Sequence, residues 1–258
     1  MRLGPTTSMG STMTDPERSS DPKVPSKGTG VVLAGGRSTR FRGGDKALAS
    51  IDGDPMLARV VEAVGAVSKS VVVNCRPDQR EAFADALDGV DAAVRFAVDD
   101  RPDEGPLVGL DRALSAVDAT PVFVVACDLP SLDPALLAWF VERLGDGSGG
   151  GAPDAVVPVD AEGHPKPTCA AYRREPLRDA VERALADGER SLRAALAPLD
   201  VDAVPIAELD VSPRAVADVD TRDDLRALGQ TTERGDRSDA EHDDRPATGC
   251  DDRPDADP

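Results

Sequence analysis

Short runs of β-branched residues alternate with longer amphipathic stretches through the middle of this 258-residue chain, and that alternation narrows the folds open to it. Val31-Val32-Leu33 and Val71-Val72-Val73 read as buried strands, as do residues 93–98 and 122–126. Between the first two, residues 55–67 place Leu57, Val60, Val61 and Val64 at helical spacing, with Pro55 suited to a first turn. Residues 77–87, 107–117 and 133–144 read as helices in the same way. Strands and helices joined by short loops predict βαβ units, hence an α/β fold: a single Rossmann-like three-layer domain with a mostly parallel sheet and helices on both faces.

After the glycine-serine loop 145–151 the pattern loosens. Residues 155–159 and 168–172 are expected as strands, 175–186 and 191–197 as helices. A strand near 201–205 and a helix near 221–228 would close the domain. The two ends are different in kind. Residues 1–28 are Thr, Ser, Pro, Gly and charge, and residues 230–258 hold ten acids against four arginines. Neither can bury enough apolar surface to offset its ordering entropy. The expected organisation is a disordered arm at 1–28, a domain at 29–229 and a disordered acidic tail at 230–258.

Only part of the net charge of −18 belongs to that tail; the core is acidic too. Such a surface repels nucleic acid and anionic membrane, so neither is expected as a partner. Few lysines, many Asp and Ala, and 3% aromatic residues suit adaptation to high salt. No segment is apolar and long enough for a bilayer span, and the N-terminal residues lack the apolar stretch of a secretory signal. Cys75, Cys127, Cys169 and Cys250 show no metal or redox spacing. The expected location is the cytoplasm.

The first strand runs straight into Leu33-Ala34-Gly35-Gly36-Arg37-Ser38-Thr39-Arg40-Phe41-Arg42-Gly43-Gly44-Asp45-Lys46. Glycines there let the backbone approach a ligand and leave peptide N–H groups for phosphate oxygens. Arg40 and Lys46 add positive charge on an otherwise acidic chain. The run has neither the P-loop pattern nor G-x-G-x-x-G. A second group, Cys127-Asp128-Leu129-Pro130, comes directly after the strand at 122–126. Ligands of open parallel sheets bind beyond the carboxyl ends of strands. An aspartate there can hold Mg²⁺ against a triphosphate, since Mg²⁺ takes one or two protein carboxylates.

Taken together, L-A-G-G-x-S-x-R followed by D-K, Val71–Asn74, Gly105-Pro106-Leu107-Val108-Gly109, Cys127–Pro130 and Asp218-Val219-Asp220-Thr221 resemble the molybdenum cofactor guanylyltransferase family of the nucleotidyltransferase superfamily. The matches keep their order and span about residues 29–228. The resemblance implies transfer of GMP from GTP to the terminal phosphate of molybdopterin, with pyrophosphate released. It implies nucleotide contacts from Leu33, Ala34, Gly35 and Gly36, Lys46 at the phosphates and Arg40 as the loop arginine. Asn74, Asp99 and Gly109 would surround the guanosine, with Asp100 beside Asp99 as the competing choice. Asp128 would hold Mg²⁺. Molybdenum cofactor biosynthesis proteins are the implied partners.

Departures from the family pattern touch the shape of the first loop and the place of the second substrate or metal. Phe41-Arg42 stands where the family has Met-Gly, and two extra residues separate His164 from Pro167-Thr168. Asp218 and Asp220 replace asparagines, so Asp220 is expected either to cap the last helix or to add a second carboxylate for the metal. Other readings are a guanylyl- or cytidylyltransferase for another phosphorylated acceptor, such as cobinamide phosphate or phospholactate, and a non-catalytic nucleotide-binding regulator. Intact Lys46 and Asp128 weigh against the last.

Overall fold

The computed structural model describes residues 28–39, 41, 44–147 and 151–228. Gly28 apart, the expected arm lies outside them, as do residues 229 and 230–258. Among the described residues no helix is long and apolar enough to cross a membrane.

The β-branched runs form the strands expected of them: β1 (Thr29–Leu33), β4 (Ser70–Cys75), β5 (Val94–Val98) and β6 (Val122–Ala126). Between β1 and β4 lie a two-residue hairpin, β2 (Ser50–Ile51) and β3 (Asp54–Pro55), and helix α1 (Met56–Gly65). The hairpin turns on Asp52 and Gly53, at φ 53° and 100°. Left-handed pairs of this kind match the twist of two-residue hairpins, and Asp-Gly is a preferred sequence for them. Pro55 therefore ends β3 rather than opening α1.

Further along come α2 (Arg80–Ala86), α3 (Pro106–Leu114), α4 (Pro134–Leu144), β7 (Ala155–Val159), β8 (Cys169–Tyr172), α5 (Arg174–Ala186) and β9 (Val201–Pro205). Seven strands make one sheet in the order β5-β4-β1-β6-β8-β7-β9. Only β8 runs against its neighbours β6 and β7. The expected helix at 191–197 shrinks to a single 3-10 turn at Ala194–Leu196, closed off by Pro198.

Alternation along each strand feeds two cores. Val32, Val71, Val73, Phe123 and Val125 pack with α1, α2 and α4, whereas Val31, Val72, Val122 and Val124 pack with α3 and α5. Both faces are thus covered, as a parallel sheet requires. Leu57, Val60, Val61 and Val64 of α1 are fully buried, each worth about 1.5–3 kcal/mol of transfer free energy. Because β1, β4, β5 and β6 are parallel, their carboxyl ends open at the same edge. Antiparallel β8 brings its amino end, after Thr168, to that edge as well.

Candidate active site

A cavity of about 530 Å³ opens at this edge, lined by Leu33 to Ser38 and Lys46 after β1, Asn74 of β4, Asp99 after β5, and Asp128 after β6. Gly109 of α3, Thr168 and Asp220 line it as well. Arg40 lies outside the described residues.

At one end Asn74 and Asp99 are buried together. Asn74 Nδ2 donates to Ala97 O at 3.1 Å and to Asp99 Oδ1 at 2.6 Å. Burial pushes the Asp99 carboxyl above its ordinary range, against the pull of the Asn74 hydrogen bond and of Arg112 and Arg76. Two glycines allow the cluster: a Cβ on Gly35 would stand 2.9 Å from Asp99 Oδ2, and one on Gly109 would overlap Asn74 Oδ1. Asp100 points elsewhere. Its side chain is 79% exposed, 3.8 Å from Arg112, and it does not line the cavity. Adjacent residues leaving a strand face opposite ways, so only one of the pair can turn inward.

The other end is charged. Asp45 caps a 3-10 turn, Lys46–Leu48, by accepting from Ala47 N–H, and this turn carries Lys46 into the cavity. Lys46 Nζ sits 2.8 Å from Asp128 Oδ2 and 2.9 Å from Asp220 Oδ1. Burial alone would lower the Lys46 pKa, but the two carboxylates outweigh it and raise it. Asp128 is raised by burial, with Asp218 and Asp220 adding to the rise and Lys46 opposing it. Its other oxygen, Oδ1, is buried and accepts no hydrogen bond from a described residue.

Asp220 reaches Lys46 because its neighbour anchors the segment. Val219 is buried, and its N–H donates to Asp128 O at 2.9 Å. Asp218 is held instead by Lys166, at 2.7 Å. The helix at 222–228 is capped by Thr221, whose Oγ1 accepts from Asp224 N–H while Asp224 Oδ2 accepts from Thr221 N–H. Capping is therefore not the work of Asp220.

Sequence reasoning missed three features here. Arg37 and Asp103 form a bidentate ion pair between two loops that line the cavity. Arg76 and Gln79 hold the back of the first loop: Arg76 donates to Gly35 O and Gly36 O, and Gln79 to Ala34 O. Asp160, Glu162 and His164 sit close enough to share a cation, on the exposed loop between β7 and β8. Asp160 Oδ1 is already engaged there by the N–H groups of Glu162 and His164.

The sequence matches the MobA-like NTP transferase domain family over residues 30–203. It is 40% identical over 200 residues to a probable molybdenum cofactor guanylyltransferase of Natronomonas pharaonis, covering 76% of this chain and 94% of that one. A protein of the same description from Haloferax mediterranei is 35% identical over 201 residues, covering 77% of this chain and 91% of that one. Among solved structures, molybdopterin-guanine dinucleotide biosynthesis protein A of Archaeoglobus fulgidus shares the fold, with a TM-score of 0.62. It is 23% identical, and the match covers 80% of this chain and 99% of that one. A nucleotidyl transferase from Methanothermobacter has the same fold, with a TM-score of 0.58 and 20% identity, the match covering 80% of this chain and 98% of that one. Strand order, loop motifs and sequence agree, and the chain belongs to the MobA-like NTP transferase family, among the molybdenum cofactor guanylyltransferases.

Proposed function

We propose that this protein transfers GMP from GTP to the terminal phosphate of molybdopterin, in the cytoplasm, and that residues 29–229 suffice for it. One observation carries the reading: a lysine held between two carboxylates faces a glycine-rich loop in one cavity. Lys46, Asp128 and Asp220 together are net negative, which would repel a triphosphate. A divalent cation reverses that sign. The buried Oδ1 of Asp128, which accepts from no described residue, is the atom such an ion needs, so the residues present fit a metal. Asp128 and Asp220 would hold Mg²⁺, which when bound supplies charge neutralisation at the phosphates.

The chain's own groups do the rest. Backbone N–H groups of Gly35 and Gly36 would bind the phosphates, with Lys46, and Arg40 as the loop arginine. Leu33 and Ala34 would flank the nucleoside. Asp99, oriented by Asn74, would accept from the N–H donors of guanine, and Gly109 leaves room for the base. An acceptor phosphate oxygen attacks the α-phosphorus, the bond from that phosphorus to the bridging oxygen breaks, and pyrophosphate leaves. No general base is required, because the attacking oxygen is already anionic at neutral pH. Catalysis then rests on positioning and on screening two polyanions from each other. Pyrophosphate release, measured with GTP and with each acceptor in turn, tests the proposal. Release with cobinamide phosphate or phospholactate but not with molybdopterin would reassign the acceptor, and no release with any of them would reject guanylyl transfer.

A further inference from the structure

Three successive carbonyls of the first loop point away from the cavity. Gln79 Nε2 donates to Ala34 O at 3.2 Å, and Arg76 Nη1 donates to Gly35 O at 2.9 Å and to Gly36 O at 2.6 Å. In a trans peptide the carbonyl and the next N–H are antiparallel. The N–H groups of Gly35, Gly36 and Arg37 therefore point away from Arg76 and Gln79. No described residue accepts from any of the three, and all three residues line the cavity.

The two side chains that impose this are themselves fixed. Arg76 is 7% exposed and Gln79 4%. Gln79 Oε1 accepts from Arg76 N–H at 2.9 Å, and Asp78 takes the outer edge of the guanidinium at 3.1 and 3.2 Å. Gln79 Nε2 also donates to Asp45 Oδ2, while Asp45 Oδ1 caps the turn bearing Lys46. One buried pair thus ties both arms of the loop.

We infer that Arg76 and Gln79 are positioning residues, which hold the peptide planes of residues 34–37 so that their N–H groups face the nucleotide's phosphates. This rests on nucleotide binding in the cavity as proposed above. A Gly-Gly segment left untied reverses its peptides at little cost, and a reversed plane turns a carbonyl oxygen on a polyanion.

Calorimetric Kd values for GTP and for guanosine, measured on wild type, Arg76→Met, Arg76→Lys and Gln79→Glu, test it. Gln79→Glu keeps the shape but replaces the donor by an acceptor, and it keeps the test open if Arg76→Met does not fold. The GTP Kd is expected to rise about tenfold in Arg76→Met and Gln79→Glu, ~1.4 kcal/mol. Guanosine is expected to move less than about twofold, and Arg76→Lys to recover part of the loss. Equal weakening of both ligands, or an unchanged GTP Kd in a folded variant, overturns the positioning role. Wild type that binds guanosine as tightly as GTP would instead remove the phosphate site beneath it.

Discussion

The two ends of the cavity are built on opposite terms. At the nucleoside end, Asn74 bridges Ala97 and Asp99, and these two polar side chains leave room only for glycine at Gly35 and Gly109. At the phosphate end, Lys46 is shared by two carboxylates and Asp128 keeps a buried oxygen with no hydrogen bond from a described residue. The first end has its polar groups paired as it stands; the second, on the function proposed above, would be completed by an added cation. On the function proposed above, base selection would be a property of the folded chain, while phosphate binding would depend on the divalent ion supplied.

Substitutions that break this contrast rank by expected effect. Asp128→Ala removes the atom on which the charged end turns. Its kcat is expected to fall at least about a hundredfold at saturating Mg²⁺, or ~2.7 kcal/mol, with an unchanged circular dichroism spectrum. A variant that keeps a tenth of wild-type turnover would remove Asp128 from the metal site. Lys46→Ala comes next, with a loss of about thirtyfold from weaker screening of the triphosphate. Lys46→Arg is not expected to restore it, because a planar fork cannot replace a compact ammonium between two carboxylates. Full activity in Lys46→Ala would show that the carboxylates alone organise that end, and full activity in Lys46→Arg that any cation there suffices.

Asp99→Asn probes the preformed end. GTP affinity is expected to fall about tenfold as an acceptor for guanine donors becomes an amide. Stability should move the other way. Burial raises the Asp99 carboxyl, and a carboxyl whose folded pKa lies above its unfolded one contributes stability only at low pH. That contribution is lost as pH rises through the folded pKa. At neutral pH the wild type therefore carries the cost of a buried charge, and Asp99→Asn is expected to raise Tm by about 2 °C. Nucleotide affinity of the wild type should weaken on acidification at a higher pH than an ordinary carboxylate would dictate. A lower Tm for the variant would mean that the carboxylate supports the fold.

Asp220→Asn separates the metal role from simple pairing with Lys46. The Mg²⁺ concentration for half-maximal rate is expected to rise about threefold, since an amide is a poorer ligand for a hard cation. A titration that overlays the wild type leaves Asp128 as the sole carboxylate ligand. The smallest effect is expected from truncation to residues 29–229. Both ends of the cavity lie within that span, so turnover and Tm should match the full chain. A lost thermal transition would show that a terminal segment docks on the domain.

Much of this was legible in the sequence because a parallel sheet buried on both faces demands continuous apolar runs. Val31–Leu33 and Val71–Val73 announce themselves, and topology sets the loops after such strands at the open edge. Lys46 and Asp128 were readable for that reason. Arg76 and Gln79 were not, because an arginine before a proline and a glutamine in a first helical turn look like ordinary surface residues. Their burial depends on how the β1 loop folds back over them, which no local pattern records. The β2–β3 hairpin did carry a signal in Asp52-Gly53, but its strands are too short for alternation to show. The expected helix at 191–197 failed because it buries only Leu192 and Ala195 fully, with Ala194 and Leu196 partly covered, before Pro198.

The pairing of Lys46 with Asp220 spans 174 residues of chain. A polypeptide emerging from the ribosome makes the glycine loop early and Asp128 midway, and reaches Asp220 only after the entire sheet has been synthesised. Val219 docks against Asp128 in the same late step. An unfinished chain could thus assemble the nucleoside end while the charged centre still lacked one of its carboxylates, so on the function proposed above the order of synthesis would set the order in which recognition and reactivity arise.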